Sequence, residues 1–171
     1  MTPERFRDTG DYYEAYVGET LLVCPKCGGC ARSFRSDPGN QSWSSPRRVT
    51  CGACGLVKEW SAQRLTPSGQ RARMRDQYFG LELWIQARGP EGILWANNYR
   101  QLSVIECLVR ATLRERRQGP SGWSNSSFVS RLPRWIKEAK NRKVILRRIE
   151  QLRAERRGRR TRVSGPLRQG E

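Results

Sequence analysis

An α+β fold class is what this sequence predicts, on three observations. Two C-x-x-C-G segments, residues 24–28 and 51–55, lie between short β-rich runs. Two aromatic-rich apolar runs, residues 78–85 and 93–96, flank the Gly/Pro-rich connection 86–92, the pattern of a hairpin. Beyond residue 97, apolar residues recur three and four apart, the period of helices buried on one side. The 171 residues have room for one domain and an appendage, or for two small units. Hydrophobic residues make up only 36%, so a modest core with charged extensions is expected.

The lead segment, residues 1–20, is acidic: 2 basic against 5 acidic residues, net −3. Its Tyr12, Tyr13 and Tyr16 suit either a short packed helix or a clip onto the cysteine module that follows. It contains acids and no apolar run, so a secretory leader is not expected. No stretch approaches the roughly 18 apolar residues of a membrane span. A cytoplasmic protein is therefore expected, without a membrane partner.

Residues 21–62 hold the strongest signal. In Cys24-Pro25-Lys26-Cys27-Gly28 and Cys51-Gly52-Ala53-Cys54-Gly55, 23 residues, Gly28 to Thr50, lie between the two C-x-x-C pairs. Two thiolates two residues apart point the same way from a tight turn, and the following Gly allows the positive φ such a turn requires. Two facing turns complete a tetrahedral S4 set, which suits Zn2+ or, less often, iron. The flanks fit: 21–23 with 31–36 and 47–50 with 56–60 read as the arms of two β-hairpins. This is similar to a zinc ribbon, with Cys24, Cys27, Cys51 and Cys54 holding one structural Zn2+. Disulfides would need an oxidising compartment, and a redox pair would need a strand-then-helix setting. Cys30 can substitute for Cys27, but two complete pairs already fill the site, so it reads as a spare thiol. Cys107 reads as a core residue of a helix.

Residues 63–77 read as a basic linker, with Pro67 and Gly69 and no periodicity. Residues 78–157 then form the hairpin and the helical domain. Asn97 or Asn98 caps a helix running to about Arg117, with Leu102, Ile105, Leu108, Val109, Thr112 and Leu113 on one face. Ser124–Ser127 starts a short second helix, and Pro133 suits the first turn of a third. A last helix from about Asn141 to Arg157 places Ile145, Ile149 and Leu152 on one stripe, and Gly158 stops it. Residues 158–171 read as a disordered basic tail.

Charge makes the functional argument. Lys and Arg number 33 against 16 Asp and Glu, a net +17, and residues 101–171 alone carry 19 basic and 6 acidic residues, net +13. Such an excess speaks to partners and not to fold. Of the basic residues 28 are Arg, which suits bidentate phosphate binding or merely reflects codon usage. Arg134, Lys137 and Lys140 recur at three-residue steps, and Arg147 and Arg148 extend that basic face. Arg32, Arg35, Arg47 and Arg48 would make the ribbon strands basic too. These nine are the candidate nucleic-acid contacts, for DNA or RNA, with affinity drawn mostly from phosphates. Trp43, in a Gly/Ser-rich loop, is the tryptophan expected to be exposed; Trp84 and Trp95 read as structural. The alternative is an adaptor whose Arg residues meet an acidic surface on a larger nucleoprotein machine, such as a polymerase or ribosome.

Catalysis finds little support. With no His, Ser-His-Asp and Cys-His chemistry and His-ligated zinc are excluded. There is no Gly-rich phosphate loop with Lys, no G-x-S-x-G and no close carboxylate cluster. A closed S4 site has no open position for water. No small-molecule substrate is expected.

The runs Tyr78–Gln86, Leu94–Asn98 and Arg131–Arg142, taken with both cysteine pairs, resemble a family of small bacterial zinc-ribbon proteins across about residues 20–152. The resemblance implies the architecture and no particular activity. Members of that family often carry a further Cys pair where this chain has Arg88-Gly89-Pro90-Glu91-Gly92. A second metal site there is accordingly not expected.

Overall fold

The computed structural model describes residues 4–37, 39–40, 42–61, 74–115, 118–119, 122–123 and 126–163. It is a mixed α and β structure. Strand β1 (Arg5–Arg7) and a single 3-10 turn (Tyr13–Tyr16) lead into β2 (Glu19–Val23), β3 (Cys30–Arg35), β4 (Arg47–Thr50) and β5 (Val57–Trp60). A hairpin of β6 (Ile85–Arg88) and β7 (Ile93–Ala96) precedes helix α1 (Tyr99–Arg110). Strand β8 (Leu113–Glu115) and the two-residue strands β9 (Gln118–Gly119) and β10 (Gly122–Trp123) follow. Two single-turn helices, α2 (Phe128–Arg131) and α3 (Arg134–Lys137), then lead to the long α4 (Arg142–Val163).

Strands β2 to β5 form one antiparallel meander in chain order. Successive residues of a strand face opposite sides, and β2 exploits this. Leu22 joins a small core with Cys24, Ala31, Val49, Cys51 and Leu83. Leu21 joins the large core, where Ile85 and Leu94 of the hairpin meet Leu102, Ile105 and Val109 of α1 and Ile145, Ile149 and Leu152 of α4. One strand thus ties the cysteine sheet to the helical part. The Leu21 N–H donates to the Asn97 carbonyl at 2.7 Å, and the Val23 N–H to the Glu82 carbonyl at 2.8 Å.

Helix α1 starts where Asn98 Oδ1 accepts the Gln101 N–H at 2.9 Å, one of the two caps expected. Its end differs from expectation. Ala111 turns extended, and Leu113–Glu115 pairs in parallel with Arg5–Arg7. Leu113 is consequently 44% exposed. Only a partner distant in sequence could divert this segment from the helix. Cys107 is likewise exposed, on the side of α1 away from Leu102, Ile105 and Val109, and is no core residue.

The lead segment contributes Tyr16 to the large core, and its Val17 and Gly18 carbonyls meet Arg47 of the cysteine sheet. Tyr16 is buried in that core against Phe128, with ring centroids 5.1 Å apart. Residue 62 and residues 63–73 of the expected linker lie outside the described residues. Residues 74–77 are built into the fold: the Met74 N–H donates to Gln86 Oε1, and Arg75 bridges Glu82. The hairpin is shifted. Residues 77–81 form a turn whose Tyr78, Phe79 and Leu81 N–H groups all donate to the Asp76 carboxylate, and strand pairing starts at Ile85.

Ser127 caps α2 and Pro133 precedes α3 as the residue pattern predicts. Gly158 does not stop the last helix, which continues to Val163. One Gly costs a helix about 1 kcal/mol relative to Ala, less than continuous backbone hydrogen bonding returns. Residues 164–171 of the expected tail lie outside the described residues. Among the described residues, no helix is long and apolar enough to cross a membrane.

Candidate metal centre

The two cysteine turns are built alike. In the first, the Gly28 N–H donates to the Cys24 carbonyl at 2.9 Å and the Cys24 N–H to the Gly29 carbonyl at 2.8 Å. In the second, Gly55 donates to Cys51 and Cys51 to Leu56, each at 2.9 Å. Gly28 and Gly55 have φ of 68° and 69°. A Cβ at either would touch nothing within 4 Å, so backbone conformation alone demands glycine there.

Strand pairing across the sheet brings these turns together, and the four sulfurs of Cys24, Cys27, Cys51 and Cys54 lie within 4.8 Å of one another. Cys24 Sγ is 3.6 Å from Cys54 Sγ, and Cys27 Sγ is 3.6 Å from Cys51 Sγ. A tetrahedron with metal–sulfur bonds of about 2.3 Å has sulfurs about 3.8 Å apart. These separations suit that polyhedron and far exceed the roughly 2.05 Å of a disulfide; all six cysteines are free. The first cysteine of each pair is buried, while Cys27 faces solvent and Cys54 is half-buried.

Burial opposes ionisation of Cys24, but the Cys27 and Lys26 N–H groups and the Cys54 and Cys27 thiols outweigh it and bring its pKa down to about 6. At Cys27 the Gly29 N–H favours the thiolate. The Cys54, Cys51 and Cys24 thiols and burial override that, raising its pKa to about 12. Four thiolates with sulfurs within 4.8 Å would crowd four negative charges together, which a bound cation offsets. The donor chemistry and the spacing both fit a metal ion. Cys30 stands outside the four-sulfur group; its carbonyl faces Cys51 Sγ at 3.9 Å.

The nine cations expected to form a basic surface are not equivalent. Arg47 is corrected outright, being 1% exposed. Its Nη2 donates to the Val17 and Gly18 carbonyls at 2.6 and 3.2 Å, and its guanidinium stacks 4.4 Å from the Tyr78 ring centroid. It fastens β4 to the lead segment. Arg35 is half-buried. Arg32 and Arg48 are exposed but paired with Glu19 and Glu59 at 2.7 and 2.6 Å. Arg134 pairs with Glu138 at 3.0 Å, and Lys140 with both Glu91 and Glu138. Lys137 Nζ donates to the Ser130 carbonyl. Arg147 is exposed on α4, and the half-buried Arg148 donates to Gln151 beside it. Lys143, one turn before Arg147 and also exposed, belongs to the same face. Its i, i+4 spacing to Arg147 was the signal for it. Trp43 is 61% exposed, as its loop setting predicts, while Trp95 packs edge-on against Tyr13.

Comparison with family models, with curated proteins and with solved structures finds no match to this chain.

Proposed function

We propose that this is a non-enzymatic nucleic-acid-binding protein whose N-terminal sheet is a zinc ribbon. Cys24, Cys27, Cys51 and Cys54 would hold one structural Zn2+, for which an all-sulfur set at this spacing is the supporting observation. Four protein ligands leave no position for water, so the ion supplies folding energy, of the order of 10–16 kcal/mol in small zinc modules. Free thiols throughout suit a cytoplasmic setting.

The observation that carries nucleic-acid binding is helix α4, which holds 10 basic and 2 acidic residues over Arg142–Val163, a net +8. The ribbon cations support it less, because Arg32 and Arg48 have acidic partners. Contact would be with phosphates, with little base readout. The test is binding of random-sequence DNA and RNA oligonucleotides at about 50 mM salt, followed by NaCl titration. Six phosphate contacts would give a slope near −5 in log K against log salt, and no binding at low salt sinks the reading.

Trp43 and Val57, exposed on the ribbon side, favour the adaptor as a second reading, with the sheet docked on a larger nucleoprotein machine. Nuclease-resistant co-purification of one stoichiometric acidic protein would select it.

A further inference from the structure

The geometry points to a phosphate site at the C-terminal end of α1, where Arg114 and Arg142 together hold one phosphate of a nucleic-acid backbone. The inference rests on the nucleic-acid reading above and gives it a defined contact. Helix α1 ends at Arg110, so carbonyls of its last turn lack a helical N–H. Two arginines from outside the helix serve this end. Arg114 Nε donates to the Leu108 carbonyl at 3.1 Å, and Arg142 Nη2 to the Ala111 carbonyl at 3.0 Å. Arg114 Nη1 also donates to the Lys137 carbonyl, at the end of α3, and Arg142 is the first residue of α4.

These two cations differ from other arginines of the surface. Arg32, Arg48 and Arg110 each meet a glutamate, at 2.7, 2.6 and 2.8 Å, which offsets their charge. Neither Arg114 nor Arg142 has a carboxylate partner among the described residues; backbone carbonyls are their acceptors. Burial lowers the Arg114 pKa, and the neighbouring Arg142 charge lowers it further. Arg142 Nε is buried with no hydrogen-bond partner among the described residues. Capping α1 accounts for only part of this charge. A helix C-terminus carries about half an elementary negative charge, against the two positive charges gathered here.

A phosphate answers what remains. A guanidinium has five N–H donors, and the carbonyls occupy two groups of Arg114 and one of Arg142. Arg114 is exposed and Arg142 half-buried, so a ligand can reach the pair. The carbonyl contacts also fix both side chains in advance, which spares the ordering cost that a loose surface arginine pays on binding. A backbone phosphate presents two unesterified oxygens, one for each guanidinium, and its charge relieves the repulsion between them.

The test compares the full-length protein with Arg114→Gln, Arg142→Gln and the double variant. Each is titrated with random-sequence DNA and RNA oligonucleotides at about 50 mM salt, and the complexes are then titrated with NaCl. Each single change should weaken binding about tenfold, the effect of losing a charged hydrogen bond. Because one phosphate is shared, the double variant should weaken little further. Its slope in log K against log salt should be shallower by about one. Arg114→Lys and Arg142→Lys keep the charge and should lose no more than about threefold. Inorganic phosphate alone, at about 10 mM, should raise the unfolding temperature of the unaltered protein above its value in NaCl of equal ionic strength. The double variant should show no such rise. Gln variants that bind as tightly as the unaltered protein overturn the site, and so does a loss of about a hundredfold in the double variant, which means two separate contacts. Lys variants as weak as the Gln ones trace the loss to packing and overturn it too. Failure of the unaltered protein to bind any oligonucleotide overturns the nucleic-acid reading. A phosphate shift that persists in that case leaves the two arginines holding a free phosphate, and its absence removes the site as well.

Discussion

Replacing Arg47 by Met should damage the fold and spare nucleic-acid binding, the reverse of what an arginine in a basic β-strand would suggest. Met has similar length and no charge, so the perturbation removes donors more than volume. The Val17 carbonyl, which accepts from Arg47 at 2.6 Å in a buried position, would be left without its donor. A buried unsatisfied group costs about 1–3 kcal/mol. The contact with Tyr78 at 4.4 Å goes too, worth about 2 kcal/mol where desolvated. Against these losses, the variant escapes the cost of burying a guanidinium. Burial already lowers the Arg47 pKa, with Arg35 adding to the effect, and the Nε finds no partner among the described residues. The net expectation is a loss of about 2–4 kcal/mol, with the charged hydrogen bonds outweighing the relief. With an m-value of about 2 kcal/mol/M, the urea midpoint should fall by about 1–2 M. Trp60 fluorescence is a suitable readout, since its ring lies 4.9 Å from that of Tyr78. Arg48→Met, at an exposed surface pair, should stay within about 0.5 kcal/mol. The reasoning is refuted if Arg47→Met is as stable as the unaltered protein, or if Arg48→Met is the more harmful.

Removing the metal with a chelator, or replacing Cys51 by Ser, should strip hydrogen-exchange protection from β3, β4 and β5. Leu21, anchored in the large core, should stay protected with α1 and α4; a Cys51→Ser protein that keeps one zinc and an unchanged fold would contradict the site. Gly89→Ala should cost about 1–3 kcal/mol by overpacking, because the new Cβ would lie 2.5 Å from the Trp135 ring. A melting temperature within a degree of the unaltered protein would exclude that contact. Tyr16 has its pKa pushed up to about 12 by burial and then by the Asp11 carboxylate. A raised folded value means the folded state holds the proton longer, so the Tyr16 contribution is intact below about pH 10 and is lost as pH rises towards 12. Urea midpoints across that window should fall less steeply in Tyr16→Phe, and equal slopes would rule the group out.

The cysteine turns were legible because their chemistry is local. C-x-x-C-G encodes a turn, a φ and two sulfurs in five residues, and the recurrence of that pattern implies the site. The apolar stripe of α4 was legible for the same reason, as was the Asn98 cap. One misreading occurs where a distant partner outcompetes a local preference. Leu113 is recruited by Arg5–Arg7, more than a hundred residues away in sequence, and leaves the helix its spacing favoured. Gly158 stays helical because its neighbours do.

By itself, then, the sequence determined the four clustered cysteines, the mixed α and β class of fold and the concentration of charge in the last third of the chain, all properties of composition and short-range spacing. Tertiary structure alone decided which charges are available. Arg47 and Arg48 are adjacent and chemically identical, yet strand alternation sends one inward to carbonyls and an aromatic ring and the other outward to Glu59. Which face of a strand is covered depends on what packs against it, and that information is distributed along the whole chain.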